Sequence, residues 1–232
     1  MVAIIGRGNV ASHLYTALKE KTKVVLVNPR TLENLPDNSE LILISVRDNA
    51  IHEVVNKLMP TNTIIAHTSG SIPMSVLEGK TKHFGVFYPL QTFTKDVEMP
   101  YDDIPVFIEG SNPYTVEMLK QFASLFSTNI READSEGRKQ LHLASVFACN
   151  FTNALAAIAE DLLKDSGIDF SALLPLMKQT VKKLGKLTPK EAQTGPARRR
   201  DTKVMETHLK MLESKPDLQK IYSLLSAQIT KA

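Results

Sequence analysis

The chain has 232 residues, of which 43% are hydrophobic and 23% are charged, and its net charge at pH 7 is +3. This composition is typical of a globular protein and excludes a fibrous or largely disordered chain. The small net charge argues against a nucleic-acid partner. The single cysteine, Cys149, excludes an intrachain disulfide and a metal site built on cysteine pairs.

Residues 1–133 alternate short apolar runs with amphipathic or capped segments, which predicts an α/β domain with a Rossmann-type, mainly parallel sheet. The predicted strands are Val2–Ile5, Lys23–Val27, Leu41–Ser45, Thr63–Ala66, His83–Phe87, Val106–Glu109 and Asn129–Glu132. Helices are expected from Val10 to Leu18 and from Asn112 to Phe126. Only about a dozen residues join the second and third strands, near the minimum for a crossover, so this unit must be short.

Residues 134–232 contain few glycines and few strand-like runs, which predicts a second, all-helical C-terminal domain. The predicted helices are Glu136–Lys164, Ser171–Gly185, Thr202–Glu213 and Pro216–Gln228, and Thr188 to Glu191 matches a capping box. Polar residues interrupt the apolar stretch Leu141–Leu163, which favours a buried helix over a membrane span. We therefore expect no membrane association, and a homodimer that covers this helix. The start of the chain enters a strand directly, so we expect no secretory signal and a cytoplasmic protein.

The first strand leads into Gly6-Arg7-Gly8-Asn9-Val10-Ala11 and then into an amphipathic helix. In this arrangement the first glycine permits a tight turn and the second lets phosphates approach the backbone at the helix N-terminus. A tight turn without a ligand is the alternative interpretation. The strand, turn and helix together favour a dinucleotide site that uses Gly6 to Val10.

The residues after the second strand favour NADP over NAD. An NAD site usually presents a carboxylate there to the ribose hydroxyls, whereas this chain has Arg30 and Thr31. An arginine suits the 2′-phosphate of NADP, although it is also compatible with a solvated loop.

Three further segments should lie at the carboxyl edge of the sheet, where ligands bind in such folds: SVRDN, HTSGSIP and FYPLQTF. From the first two we take Ser45, Val46, His67 and Ser69 as candidate cofactor contacts. For the last two of these residues, local turn bonding is an equal alternative.

The long helix after residue 136 carries the candidate catalytic groups. His142 can exchange a proton near neutral pH, and Lys139 lies one turn before it, so either could supply the proton that accompanies hydride transfer. Asn150 and Asn153 are candidates for orienting the substrate. The basic run Arg198 to Arg200 reads as a solvated loop, and no histidine spacing indicates a metal site.

Five motifs carry a resemblance to a known family: IIGRGNVASHL, HTSGSIP, GVFYPLQTF, LHLASVFACNFTN and EAQTGPARRRD. The chain resembles the bacterial Rossmann-like NADP oxidoreductase-like proteins whose helical C-terminal domain has no assigned function, within the superfamily of 6-phosphogluconate dehydrogenase and pyrroline-5-carboxylate reductase. The resemblance implies an N-terminal NADP-binding domain and a helical domain that often mediates dimerisation. Related dehydrogenases use a lysine and an asparagine on the first helix of that domain, but the spacing of Lys139, Asn150 and Asn153 does not reproduce their signature.

Together these features predict an NADP(H)-dependent oxidoreductase that reduces a small C=O or C=N substrate, with the substrate entering a cleft between the domains. A non-catalytic NADP(H)-binding sensor on the same fold is the alternative. A methyltransferase that uses S-adenosylmethionine is disfavoured, because it would need an acidic ribose partner after the second strand.

Overall fold

The computed structural model describes residues 1–231, and its first half forms one seven-stranded sheet. The strands are β1 (Val2–Ile5), β2 (Val24–Val27), β3 (Leu41–Ile44), β4 (Ile64–His67), β5 (Phe84–Pro89), β6 (Val106–Gly110) and β7 (Ile130–Glu132). Their order is β2-β1-β3-β4-β5-β6-β7, and every neighbouring pair is parallel except β5 and β6. The predicted mainly parallel sheet is therefore confirmed.

Helices α1 (Asn9–Leu18), α2 (Asp48–Lys57) and α3 (Pro113–Ser124) cover the sheet. Alternate residues of a strand point to opposite faces, and β1 follows this rule. Val2 and Ile4 pack into one apolar cluster with α1 and α3, whereas Ala3 and Ile5 pack into a second cluster with α2. Both faces of the central strands are thus buried, which explains their continuous apolar sequences.

The connection between β2 and β3 contains no helix, in keeping with its small number of residues. Residues 28–40 form turns without a helix, and Leu32 and Asn34 adopt left-handed backbone conformations there. A non-glycine residue rarely adopts this conformation, so the tight path of the chain imposes it.

The second half of the chain is helical, as predicted. Helix α4 (Ser135–Ser145) continues through a π-helical segment (Val146–Asn150) into α5 (Phe151–Leu163). The remaining helices are α6 (Leu174–Leu184), α7 (Pro189–Ala192), α8 (Pro196–Arg199), α9 (Thr202–Met211) and α10 (Pro216–Lys231). The capping box at α7 is formed, since the Glu191 amide donates to Thr188 Oγ1 and the Thr188 amide donates to the Glu191 carboxylate.

The chain packs as two compact units, Met1–Ala154 and a second that begins at Leu155. The change from strands to helices falls near residue 134, where the domain boundary was predicted. Helix α4 nevertheless packs with the sheet unit, because the buried Arg138 forms an ion pair with Glu109 of β6 and donates to the Ile72 carbonyl.

The prediction that the apolar stretch Leu141–Leu163 is buried is wrong for the single chain. Leu143 and Phe147 are 60% and 65% exposed, and α5 has no buried residue. Helix α4 contacts the sheet through the buried Arg138, whereas the apolar side chains of α5 are not buried within the single chain. By length and composition alone, the helix Ser135–Leu163 could cross a bilayer.

Candidate functional site

A cavity of about 980 Å³ lies at the carboxyl edge of the parallel strands, within the sheet unit. Residues of the glycine loop, of the turn after β2 and of the segments after β3, β4 and β5 line it together with one residue of α4. The lining includes Arg7, Gly8, Asn9, Val10, Arg30, Ser45, Val46, Arg47, Asp48, Thr68, Ser69, Gly70, Tyr88, Gln91 and His142. This is the edge where open α/β sheets bind their ligands.

The two glycines of the first loop have different surroundings. A Cβ atom on Gly6 would lie 2.0 Å from the Ser45 carbonyl oxygen, and the Gly6 φ angle is +153°. A Cβ atom on Gly8 would meet no protein atom within 4 Å, and Gly8 lines the cavity. Gly6 is therefore required by the packing of β1 against the end of β3, whereas Gly8 leaves space on the cavity side for a ligand to approach the backbone.

Helix α1 begins directly at this space. Gly8 is its N-cap residue, and no side chain caps the helix. The first-turn amides of a helix have no intrahelical partner, and they attract an anion. The Asn9 side chain does not cap the helix, because it donates to the Phe93 carbonyl oxygen at 2.9 Å. The geometry fits a phosphate held by backbone amides.

Three arginines line the cavity: Arg7, Arg30 and Arg47. Within residues 1–231, none of them has a carboxylate oxygen within the 4.0 Å of an ion pair. The nearby carboxylate of Glu53 instead pairs with Lys57 at 2.7 Å, and this lysine holds the pKa of the Glu53 carboxyl below its ordinary value. The guanidinium groups are thus free to bind phosphate oxygens.

The turn that carries Arg30 is fixed by its neighbours. The Asn28 side chain accepts the Arg30 amide hydrogen at 3.0 Å, and Lys57 donates to the Arg30 carbonyl oxygen at 3.0 Å. Thr31 follows on the exposed side, where its hydroxyl accepts from the Glu33 amide at 3.3 Å, and it does not line the cavity. The structure therefore presents Arg30 to the cavity but not Thr31.

The ends of β3 and β4 supply a small polar wall. The Thr68 hydroxyl donates to Ser45 Oγ at 3.2 Å, and Ser69 Oγ accepts from the Ser71 and Ile72 amides at 3.1 Å. Val46 also lines the cavity. These bonds shape the turn, so the alternative of local turn bonding accounts for much of the Ser69 environment.

His67 is fully buried at the end of β4 and does not line the cavity. Its Nδ1 accepts from the Ser69 amide at 3.2 Å, and its Nε2 has no hydrogen-bond partner among residues 1–231. Burial and the nearby positive charge of Arg138 lower the His67 pKa to about 4. His67 is thus a neutral residue beneath the turn, and its assignment to cofactor binding stays a prediction.

His142 is the only predicted catalytic residue among those that line the cavity. Its Nδ1 lies 3.0 Å from the Tyr88 hydroxyl. Lys139 instead pairs with Glu136 at 2.7 Å, outside the cavity lining. Asn150, the last residue of the π-helical segment, and Asn153 of α5 are both exposed and do not line the cavity. Their assignment to substrate binding stays a prediction.

Sequence reasoning missed Arg47, Tyr88 and Gly70 as cavity residues. Each belongs to one of the three segments expected at the carboxyl edge of the sheet, so the sequence indicated the correct segments but not these residues within them. Choosing the residue within each segment required the side-chain directions.

Comparison with known proteins identifies the relatives of this chain. A domain of unknown function, DUF2520, matches residues 104–229. The "putative NADP oxidoreductase BF3122" from Bacteroides fragilis is 39% identical, with a TM-score of 0.93 over 100% of this chain and 98% of that one. No curated protein matches the chain in sequence.

Two more distant structures share the fold. The protein TM1727 from Thermotoga maritima is 23% identical, with a TM-score of 0.79 over the whole of both chains. A reductive aminase from Aspergillus terreus, solved with NADPH and ethyl levulinate, is 14% identical, with a TM-score of 0.72 over 100% of this chain and 94% of that one.

Proposed function

The chain belongs to the DUF2520 family and has a Rossmann NADP oxidoreductase-like fold, and we propose that it is an NADP(H)-dependent reductase of a small C=O or C=N compound. One observation carries the proposal. A single cavity holds a glycine loop with unpaired arginines and also contains a tyrosine–histidine hydrogen bond. The first group suits a dinucleotide phosphate and the second suits proton transfer.

The chain's own residues would hold the cofactor in three places. The backbone from Gly8 to Val10 would bind the diphosphate at the N-terminus of α1, and Arg30 would bind the 2′-phosphate. Ser45 and Ser69, at the ends of β3 and β4, would lie toward the nicotinamide. When bound, the reduced nicotinamide supplies the hydride.

The protein must also provide a proton and a fixed position for the substrate. His142 lines the cavity and is half-buried, so it can exchange protons with both a ligand and solvent. We assign it to proton supply and retain Asn150 and Asn153 as groups that orient the substrate. Lys139 is less suited to proton supply, since its ammonium is paired with Glu136.

Calorimetric titration with NADPH and NADH tests the cofactor assignment. We expect tighter binding of NADPH and at least a tenfold loss of that binding in Arg30→Ala, because a charge-assisted bond contributes about 1.5–3 kcal/mol. Arg131→Ala is the matched control, since Arg131 is exposed on β7 and does not line the cavity. Binding of neither nucleotide would contradict the proposal. Tight binding without NADPH oxidation by any carbonyl or imine would instead favour the sensor function.

We also propose that the protein is a homodimer in which a second copy covers the apolar face of the long helix. The exposed apolar side chains Leu143, Phe147 and Phe151 lie on this helix, and α5 buries no residue in the single chain. An uncovered apolar helix face of this kind favours association. Light scattering at several protein concentrations measures the oligomeric state.

A further inference from the structure

Three tyrosine–histidine hydrogen bonds occur in residues 1–231. Tyr88 pairs with His142 at 3.0 Å and Tyr101 pairs with His13 at 3.0 Å. The third pair joins Tyr222 and His208 at 2.9 Å. Only the first pair lines the cavity. The other two pairs lie outside the cavity lining, so they serve as matched structural controls for the first.

The Tyr88–His142 pair is held by backbone on one side. A Cβ atom on Gly70 would lie 2.7 Å from His142 Nδ1 and 2.8 Å from Tyr88 Cζ. The Gly70 backbone therefore packs directly against both rings, at a distance that only glycine permits. The pair has little freedom to move apart without displacing the turn after β4.

Helix α4 is anchored so that His142 faces this turn. Arg138 lies one helical turn before His142 and is fully buried. It forms an ion pair with Glu109 and donates to the Ile72 carbonyl oxygen at 2.6 Å. Residues four apart lie on the same helix face, so this anchor fixes the direction of His142 as well.

We propose that Tyr88 is a further catalytic residue, whose hydroxyl protonates the substrate while His142 restores the lost proton. The proposal rests on the proposed reductase function. The hydride and its electron pair form a new C–H bond at the carbon of the C=O or C=N group. The π electron pair of that group moves to the oxygen or nitrogen, which takes the proton from Tyr88 Oη. The phenolate oxygen takes a proton from Nδ1 of the His142 imidazolium, and the neutral imidazole regains one proton from solvent.

The surroundings of Tyr88 suit this role. Tyr88 is 8% exposed, and burial raises the pKa of its hydroxyl. Ser145 and Arg138 oppose this rise in the pKa, and Asp48 adds to it. The hydroxyl is thus fully protonated at neutral pH, and the phenolate that it leaves is basic enough to take a proton from an imidazolium at once. The half-buried His142 then connects the tyrosine to solvent.

The test compares Tyr88→Phe with Tyr101→Phe, because each variant removes one hydroxyl that is 3.0 Å from a histidine Nδ1. Nitrogen-15 NMR of the histidine rings, without nucleotide, is the first measurement. We expect Tyr88→Phe to move the His142 Nδ1 resonance and Tyr101→Phe to leave it unchanged. An unmoved His142 resonance in Tyr88→Phe would overturn the proposal.

The second measurement is NADPH oxidation with two probes, cyclohexanone and 1-pyrroline. We expect Tyr88→Phe to lower kcat by about 10²–10³-fold with a change in KM below about threefold, as for loss of a general acid. The control should keep the wild-type kcat. The proposal is overturned if the two variants oxidise NADPH at the same rate with both probes.

Failure of the proposed function gives a different result. Wild-type protein that binds no NADPH in the calorimetric titration contradicts the reductase function itself, whatever Tyr88 does. If both variants bind NADPH as tightly as wild type and only Tyr88→Phe loses turnover, the result supports both the reductase function and the catalytic role of Tyr88.

Discussion

The sheet unit and the helical region that follows it differ in how many side chains each buries within one chain. Among residues 1–231, every buried hydrophobic residue except Ala197 and Leu212 lies before residue 155. The strands cover both of their faces with helices of the same unit, whereas α5, α6, α7 and α9 bury no residue at all. The sheet unit is therefore stabilised by its own core, whereas the helical region buries few side chains within one chain, and the homodimer proposed above would cover them.

Substitution of Gly6 should destabilise the sheet unit more than any other change considered below. Gly6→Ala places a Cβ atom 2.0 Å from the Ser45 carbonyl oxygen at a φ angle of +153°, so we expect a loss of about 3 kcal/mol or more in the free energy of unfolding. Urea denaturation measures this loss.

Gly8→Ala is the matched variant, because its Cβ atom meets no protein atom. We expect its stability to stay within about 0.5 kcal/mol of wild type and its NADPH affinity to fall at least tenfold. Equal destabilisation by the two variants would show that the loop is required for packing alone.

Acid should weaken the sheet unit through His67. Its pKa is about 4 in the folded protein and 6.5 in an ordinary setting. The unfolded chain therefore binds the proton first, so the stabilisation is complete above about pH 6.5 and is lost as the pH falls toward 4. The shift corresponds to about 3 kcal/mol.

Urea denaturation at pH 7 and pH 4 measures the His67 effect. We expect His67→Asn to remove most of this loss on acidification, and His52→Asn, at an exposed position of α2, to retain it. A wild-type pH dependence that persists in His67→Asn would assign the acid sensitivity to other groups.

Phe147→Asp should weaken the homodimer that is proposed to cover the long helix. Phe147 is 65% exposed and packs edge-on against Phe151, with ring centroids 4.9 Å apart. Burial of such a side chain contributes about 2 kcal/mol, so we expect at least a thirtyfold weaker dimer in light scattering. Gln140→Asp, at an exposed position of α4, should leave the dimer intact. Wild-type protein that is monomeric at all concentrations would contradict the proposed homodimer.

The smallest expected effect concerns local structure in the helical region. Thr188→Ala removes the capping box of α7 and should cost about 1 kcal/mol. Thr180→Ala is the control, since its hydroxyl only donates to the Leu176 carbonyl oxygen within α6. A loss in Thr188→Ala no greater than in the control would mean that α7 is held by packing rather than by its cap.

Local sequence patterns were sufficient to predict the features that depend on neighbouring residues. Continuous apolar runs predicted the central strands β1, β3 and β4, because a strand buried on both faces needs no alternation. The strand, glycine pair and amphipathic helix predicted the loop at Gly6 and Gly8, since the turn and the helix start lie within a few residues of each other. The capping box at Thr188 followed from the same local spacing.

The side chains that meet across the site come from distant segments, and their contacts depend on the packing of the folded chain. Tyr88 and His142 are 54 positions apart, and their hydrogen bond depends on the strand order, on the ion pair between Arg138 and Glu109, and on the absence of a side chain at Gly70. Burial of His67 at the end of β4, which lowers its pKa, likewise depends on the packing of the surrounding segments. Such contacts are set by packing between distant segments, and no local pattern in the sequence specifies them.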